Sequence, residues 1–245
     1  VHHEGPAESA EKVQITYLND EKMHRVTADR VVMAGQQHLN KRVVTDLPES
    51  YRAAMDEFKH SPMLTVNVAL RNWKFMDNMG VASVRWFGDN MGGWFTSLRK
   101  QMVLDGEEPM PLDPEKPTVL TLYNSFCTPG LPLHEQTVAA RMQLFSLSYA
   151  DVENEIRSQF TKMFGPGGFD ADRDIAGITL NRQGHAYIVT PPGFFFGKDG
   201  NPPPSDVIRQ PHGRIAFAHS ELMGYQMWEG AAHEGERAAK QMLEI

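Results

Sequence analysis

One segment constrains the fold of this chain more than any other: a short apolar strand, a turn, and a helix rich in small residues. The strand covers Ile215–Ala218, and the helix is predicted from about Met227 to Leu243. Two glycines, Gly230 and Gly235, lie within that helix, where a glycine costs about 1 kcal/mol relative to alanine. The sequence therefore predicts that another group approaches this helix closely.

The start of this helix is suited to an anion. The first N–H groups of a helix have no partner within it, and the helix dipole places about half a positive charge there. Phosphate, or the anionic N1 and O2 edge of a reduced flavin, is stabilised at such a position. Tight packing of the helix on a sheet without any ligand is the alternative, and the residue pattern leaves both open.

The rest of the chain predicts a sheet, then a mixed α+β insert, and then this strand–turn–helix segment. Val13–Leu18 alternates apolar and polar residues, which is typical of a half-buried strand. Ala28–Gly35 is rich in β-branched residues, which predicts a strand buried on both faces of a parallel sheet. The further predicted elements are a helix from Leu47 to about Phe58, strands at 64–70, 81–87, 94–95, 118–123, 175–181 and 186–190, helices at 135–145 and 150–164 with a capping box between Ser148 and Asp151, and loops at 105–116 and 191–211.

The composition is that of an ordinary soluble globular protein, with 41% apolar and 22% charged residues. The net charge of −7 argues against nucleic-acid binding, because phosphates select basic surfaces. No apolar run reaches the roughly 18–20 residues that a transmembrane segment needs. The single cysteine, Cys127, excludes a disulfide within the chain and is expected to be a small packed residue.

Motifs for metal and hydrolytic chemistry are missing from the sequence. It contains no H-E-x-x-H, no G-x-S-x-G and no P-loop, and it has no ligand cluster at zinc spacing. We therefore expect no metal site. His2 and His3 are expected to belong to a disordered chain start.

The C-terminal segment resembles the flavin-binding motif of the amine oxidase family, which includes monoamine and polyamine oxidases. The family pattern is roughly G-R-I-x-F-A-G-E, a short gap, and M-E-G-A-x-x-S/A-G-x-R-A-A. This chain has GRIAFA from Gly213 and WEGAAHEGERAA from Trp228. The Ala28–Ala34 strand also resembles the family, so the resemblance covers both ends of the chain well and the middle loosely. Within the family, the stretch Thr179–Tyr187 resembles the bacterial spermidine dehydrogenase type.

The resemblance implies an α/β flavoprotein that combines part of a Rossmann-like FAD-binding domain with an α+β mixed-sheet substrate domain. It divides the chain into residues 1–38 (part of the FAD-binding domain), 39–190 (the substrate-binding domain) and 191–245 (the C-terminal part of the FAD-binding domain). FAD is the implied cofactor. The implied reaction is oxidation of a small-molecule amine, such as a polyamine, by hydride transfer to flavin N5.

The resemblance also implies a set of contacts at the turn and the helix start. The implied cofactor contacts are His219, Ser220, Glu221, Met227, Trp228, Glu229, Gly230 and Ala231. Substrate contacts are expected at Tyr225, Trp228 and His185, because aromatic faces attract cations and histidine titrates near neutral pH. Ordinary packing of the aromatic residues is the alternative. No catalytic side chain is implied, because the flavin carries the chemistry.

The chain departs from the family pattern at the turn. Where the family has glycine and then glutamate, this chain has His219 and Ser220, with Glu221 one position later. Either Glu221 takes the role of the family glutamate near the ribityl–phosphate region of the cofactor, or Ser220 hydrogen-bonds in its place, or the turn is only an exposed polar turn. The strand Leu64–Leu70 lacks the lysine of many family oxidases, which favours an electron acceptor other than oxygen.

A dinucleotide fold also needs G-x-G-x-x-G between a strand and a helix, and this chain has none. We therefore expect that a second polypeptide, or an N-terminal segment beyond this sequence, carries that half of the site, and that the chain does not bind FAD unaided. The alternatives are a desaturase or porphyrinogen-type oxidase of the same fold, and a noncatalytic chain that keeps the fold.

Overall fold

A computed structural model describes residues 1–88, 92–98 and 112–245, so most of the predicted loop at 105–116 lies outside the described residues. None of the helices in the described part of the chain has the length and apolar character of a membrane span. The described residues form, in chain order, β1 (His2–His3), β2 (Val13–Asn19), β3 (Lys22–Ala28), β4 (Val31–Met33), α1 (Gln37–Val43), α2 (Glu49–Asp56), β5 (Lys59–Leu70), α3 (Lys74–Asn78), β6 (Ser83–Gly88), β7 (Gly92–Ser97), β8 (Thr118–Ser125), α4 (Leu133–Ser146), α5 (Tyr149–Phe164), α6 (Ala171–Asp174), β9 (Ile175–Val189), α7 (Pro204–Arg209), β10 (Ile215–Phe217) and α8 (Trp228–Glu244).

The chain forms two compact units. The first unit consists of residues 1–60 and 187–245, and the second unit consists of residues 61–186. The chain passes from one unit to the other within β5 and within β9. These limits differ from the predicted limits of 39 and 190 for the substrate domain, since α1 and α2 belong to the first unit. Which unit holds the cofactor and which the substrate stays a prediction.

The first unit is built around a parallel pair of strands. β10 pairs with β4, with Ala216 opposite Val32. Ala216 and Ala218 pack against Ala238 and Met242 of α8, because their small side chains let the helix lie close to the strand. All of β10 is buried, whereas Val32 is 40% exposed. The prediction that β4 is buried on both faces is therefore wrong, because among the described residues β4 has β10 as its one neighbouring strand.

A buried histidine holds the amino ends of this strand pair. His3 lies in β1, which pairs with β2. The Arg214 N–H donates to His3 Nε2 at 3.1 Å, so the ring hydrogen of a neutral His3 is on Nδ1, 2.7 Å from Asp46 Oδ2. The prediction that His2 and His3 are disordered is wrong, since these contacts order them.

The same hydrogen bonds explain a cluster of potential ligand atoms. One atom each from His3, Asp46 and His212 lies within 4.8 Å of the others. Because Arg214 and Asp46 engage both ring nitrogens of His3, neither nitrogen has a lone pair left for a cation. Burial raises the pKa of Asp46, and the hydrogen bonds from His3 outweigh that effect, so the pKa is lowered overall. The cluster is a structural link between β1, the α1–α2 connection and β10.

The second unit is a five-stranded sheet with helices that close its own core. The strand order is β6-β7-β8-β5-β9. Alternate residues of β5 from Leu64 to Leu70 are buried, and α5 contributes Ile156 and Phe160 to the same core. The predicted capping box of α5 is confirmed, because the Asp151 N–H donates to Ser148 Oγ and the Ser148 N–H donates to the Asp151 carboxylate.

Three further sequence predictions are wrong. The two short strands at 175–181 and 186–190 are one strand, β9, whose polar middle residues are largely exposed and therefore break the apolar pattern without ending the strand. The loop at 191–211 contains α7, which begins at Pro204, where a proline lacks only an N–H that the helix does not use. Cys127 is exposed, although it was expected to be packed.

Gly213 provides a test of the link at the amino ends. It has φ +52°, and a Cβ there would lie 2.4 Å from Ala7 O and 2.7 Å from His3 Nε2. We expect Gly213→Ala to lower the free energy of unfolding by about 2–4 kcal/mol, measured by urea denaturation. Gly5→Ala is the matched control, because Gly5 has φ +108° and no atom within 4 Å of its Cβ position, so only about 1 kcal/mol is expected. Equal losses in the two variants would contradict the steric role.

Candidate functional site

The candidate site lies in the first unit, at the carboxyl ends of β4 and β10. Ligands of sheets with parallel strands bind outside these ends. A 3₁₀ turn, Ser220–Met223, follows β10, and Gly224 closes it with φ +77°. The Leu222 N–H donates to His219 O at 3.1 Å, and the Gly224 N–H donates to Glu221 O at 2.9 Å. The turn therefore has a defined backbone and leads directly into α8.

The start of α8 presents backbone donors. Met227 is the N-cap residue and makes no side-chain cap hydrogen bond. Within α8, Ala231 is the first residue whose N–H donates back along the chain, to Met227 O at 3.1 Å. The N–H groups of the residues at 228–230 precede it and have no partner within the helix. Such a helix start stabilises a negatively charged ligand atom.

The two helix glycines are not explained by packing within the described chain. Gly230 is buried, but a Cβ there would lie at 3.4 Å or more from Met223, Tyr225 and Ser220, which is ordinary contact. A Cβ at Gly235 would have no described atom within 4 Å. Packing within the described chain therefore does not supply the close approach that the two glycines predict, and the approach of a ligand to this helix stays a prediction.

Glu221 lies inside the first unit. It is 0% exposed, and its carboxylate accepts hydrogen bonds from the backbone N–H of Gln37, which follows β4. Its other oxygen lies 2.5 Å from His60 Nε2, and His60 is 2% exposed. Gln37 Oε1 accepts from Asn40 Nδ2 at 3.0 Å, while the buried Gln37 Nε2 has no acceptor among the described residues. Neither Gln37 nor His60 lies in a recognisable motif, so sequence reasoning did not assign them a role.

A buried ion pair holds α8 in place. Glu234 of α8 is 4% exposed and accepts from Arg209 of α7 at 2.7 Å and from Arg237 at 2.8 Å. Arg209 also donates to Leu222 O at 2.9 Å, and Arg237 donates to Phe217 O at 2.5 Å. The helix start is thus fixed relative to both β10 and the turn. The G-x-R-A-A part of the motif contains Arg237, so its position was available from the sequence but its partners were not.

His219 occupies an unfavourable backbone conformation. It has φ +151°, a region that favours glycine, and it stands where the family pattern has glycine. Its Nδ1 accepts from the Glu221 N–H at 3.3 Å. Burial lowers the pKa of His219, nearby His60 lowers it further and the Glu221 carboxylate opposes the shift. The imidazole is therefore neutral at pH 7.

The structure brings most of the predicted contact residues together on the first unit. Ser220 and Glu221 are buried in the turn, and Gly230 packs beside Ser220. Around them lie the exposed residues of the set: Tyr225, Met227, Trp228, Glu229 and Ala231. His185 belongs to the second unit, where it is an exposed residue of β9. Their contacts with a cofactor or substrate stay predictions.

Comparison with known proteins identifies the family. The sequence matches the family of flavin containing amine oxidoreductases over residues 2–243, and the chain therefore belongs to that family. A cyclohexylamine oxidase from Brevibacterium oxydans IH-35A has a similar fold, with a TM-score of 0.65 and 17% identity, over 99% of this chain and 47% of that chain. A putrescine oxidase bound to putrescine aligns with a TM-score of 0.60 and 20% identity, over 94% of this chain and 46% of that chain.

This chain spans about half the length of these solved structures. A search of curated proteins found no match. The predicted family, its FAD cofactor and the Rossmann-like α/β fold are confirmed.

The residues at the site fit such a cofactor. The start of α8 offers N–H donors without a side-chain cap, and the Gln37 amide is a buried donor without an acceptor in the described part of the chain. Both are hydrogen-bond donors, whereas the pyrimidine edge and the phosphates of FAD are rich in acceptors. The donor set therefore matches the ligand that the family requires.

The strain at His219 is open to a direct test. His219→Ala and His219→Gly both remove the imidazole, but only glycine adopts φ +151° without strain. We expect the glycine variant to be more stable than the alanine variant by about 1–3 kcal/mol in urea unfolding. Equal stability of the two variants would contradict the assigned backbone conformation.

Proposed function

We propose that this chain is part of an FAD-dependent enzyme that oxidises an amine. The observation that carries the proposal is the uncapped start of α8 at the carboxyl ends of the parallel pair β4–β10, in a chain of the flavin containing amine oxidoreductase family. The names of two similar structures, a cyclohexylamine oxidase and a putrescine oxidase, support an amine as the substrate class.

The residues of the first unit would hold the cofactor. The backbone N–H groups at 228–230 would donate to the pyrimidine edge of the flavin and stabilise its negative charge on reduction. When bound, the flavin supplies the hydride acceptor, at N5. Tyr225 and Trp228, which are 46% and 80% exposed beside the helix start, would offer aromatic faces to the substrate amine. No side chain of this chain is assigned as the base.

The glycine-rich half of the FAD site would come from a second polypeptide or from a further segment of the same protein. The support is the free edge of β4. A parallel sheet normally has several strands and is covered on both faces, whereas β4 pairs only with β10 among the described residues and Val32 is 40% exposed. We propose that the strand preceding G-x-G-x-x-G pairs along this edge, and that the first unit is the FAD-binding part and the second unit the substrate-binding part.

The first experiment is a visible spectrum of the protein purified from its natural host, with an intact mass of every polypeptide present. We expect flavin absorption bands, because the assembled domain retains FAD, and bleaching of the bands when an amine such as putrescine is added without oxygen. A colourless preparation would contradict FAD binding. A coloured preparation that no amine bleaches would favour the desaturase or porphyrinogen-type alternative.

The two glycines of α8 provide a matched pair of variants. In a helix, replacing glycine by alanine stabilises the fold by about 1 kcal/mol, and both sites accept a Cβ in the described structure. We expect Gly230→Ala to keep the cofactor-free protein stable while raising the dissociation constant of FAD about tenfold or more, because its methyl group would separate the flavin from the helix start. Gly235→Ala, one turn further on, should leave that constant unchanged. Unchanged FAD binding in both variants would contradict the contact at 228–230.

A further inference from the structure

A buried carboxylate joins the two segments that follow β4 and β10. Glu221 and Gln37 are 184 residues apart in the chain, and the Gln37 N–H donates to one oxygen of Glu221. His60 Nε2 lies 2.5 Å from the other oxygen. The side chains of Glu221 and His60 are 0% and 1% exposed. Burying a carboxylate costs desolvation free energy unless the carboxylate is fully hydrogen-bonded. The hydrogen bonds of Glu221 offset that cost and join the segments that donate them.

The hydrogen bonds of Glu221 fix the backbone of the turn. Its N–H donates to His219 Nδ1 at 3.3 Å, and its carbonyl accepts from the Gly224 N–H at 2.9 Å. The side chain and backbone of Glu221 thus connect the start of α1, β5 and the turn that leads to α8. The neighbouring Gln37 donor is part of the same network, since Gln37 lies directly against the carboxylate.

The orientation of Glu221 is opposite to that expected from the resemblance. A glutamate that contacts the ribityl–phosphate region would need a carboxylate facing the cofactor, whereas both oxygens of Glu221 face protein groups. Of the two titratable side chains in this turn, that of His219 remains partly exposed, and His219 stands in the place of the family glycine.

We propose that Glu221 is a positioning residue: together with His60 it sets the conformation of the turn at 219–224 and directs the donors of Gln37 and of the α8 start toward the cofactor, without touching the cofactor itself. This inference rests on the proposed function. It replaces the expectation that Glu221 substitutes for the family glutamate as a direct contact.

The His3–Asp46 pair supplies the matched control. Both pairs join a buried histidine to a carboxylate within the first unit, but His3–Asp46 lies at the amino ends of β4 and β10 and His60–Glu221 lies at their carboxyl ends. Replacing Asp46 by Asn therefore weakens the same kind of interaction at the end away from the turn. We expect Asp46→Asn to lower the stability about as much as Glu221→Gln does, and to leave the conformation of the turn at 219–224 unchanged.

The test uses the whole flavoprotein and its cofactor-free form, with the variants Glu221→Gln, His60→Ala, His60→Gln and Asp46→Asn. In the cofactor-free protein, Glu221→Gln and His60→Ala should speed amide hydrogen exchange at 220–224 by about tenfold or more. Both variants should raise the dissociation constant of FAD by about 10- to 100-fold. The double variant Glu221→Gln with His60→Ala should have a dissociation constant no higher than that of the more severe single variant, because the two residues act through one interaction. His60→Gln keeps a donor and should restore part of the affinity.

The outcomes separate this inference from the proposed function. Asp46→Asn should lower the melting temperature but leave both the exchange at 220–224 and the FAD affinity unchanged. If Glu221→Gln weakens FAD binding while exchange in the cofactor-free turn is unchanged and His60→Ala binds normally, Glu221 is a direct contact and the positioning role is overturned. The positioning role is also overturned if the wild-type protein binds FAD and neither Glu221→Gln nor His60→Ala changes the FAD affinity or the exchange at 220–224. Failure of the wild-type flavoprotein to hold FAD overturns the proposed function, and this inference with it.

Discussion

The parallel pairing of β4 with β10 is the interaction on which the rest of the first unit depends. Each strand has only three residues, and they come from opposite ends of the chain. Closing so long a loop costs conformational entropy, which the buried surface of β10 and the packing of Ala216 and Ala218 on α8 offset. The register of this pair places the segments after both strands side by side.

Buried polar links at the two ends of the pair keep that register. At the amino ends, His3 joins Arg214 to Asp46, and Gly213 provides the space for it. At the carboxyl ends, Glu221 joins Gln37 to His60. A shift by one residue would leave these buried groups without partners, which costs more than the hydrogen bonds themselves contribute. The candidate site is therefore a direct product of strand register.

Sequence reasoning found the elements whose own residues encode them. β10, the turn and α8 follow from local pattern and from a specific motif, and the capping box of α5 follows from two side chains three positions apart. It missed what distant residues decide. β1 is ordered by contacts with β2 and Asp46, and the role of His60 exists only because Glu221 lies beside it in the fold. The prolines near α7 favoured a loop, although one of them begins the helix.

The same distinction applies to the site. The helix start could be predicted because any α-helix presents free N–H groups at its first turn. The inward direction of the Glu221 side chain could not be predicted, since the sequence shows only that a glutamate stands one position later than in the family. Its direction depends on two partners in other segments. The carboxylate that resembled a ligand contact is consequently an internal link of the unit.

The central claim is that this chain holds one part of an FAD-binding domain and that another strand completes the sheet along β4. The Val31 N–H donates to Arg214 O, and Met33 O accepts from the Ala218 N–H, so the backbone groups of Val32 between them face the other edge of β4. Amide hydrogen exchange at Val32, measured by NMR in this chain alone and in the flavin-loaded whole protein, tests the claim directly. We predict that exchange at Val32 is slower by at least about 100-fold in the whole protein, because a paired amide exchanges only when the strand opens. Equal exchange at Val32 in the two samples, with flavin bound, would contradict it.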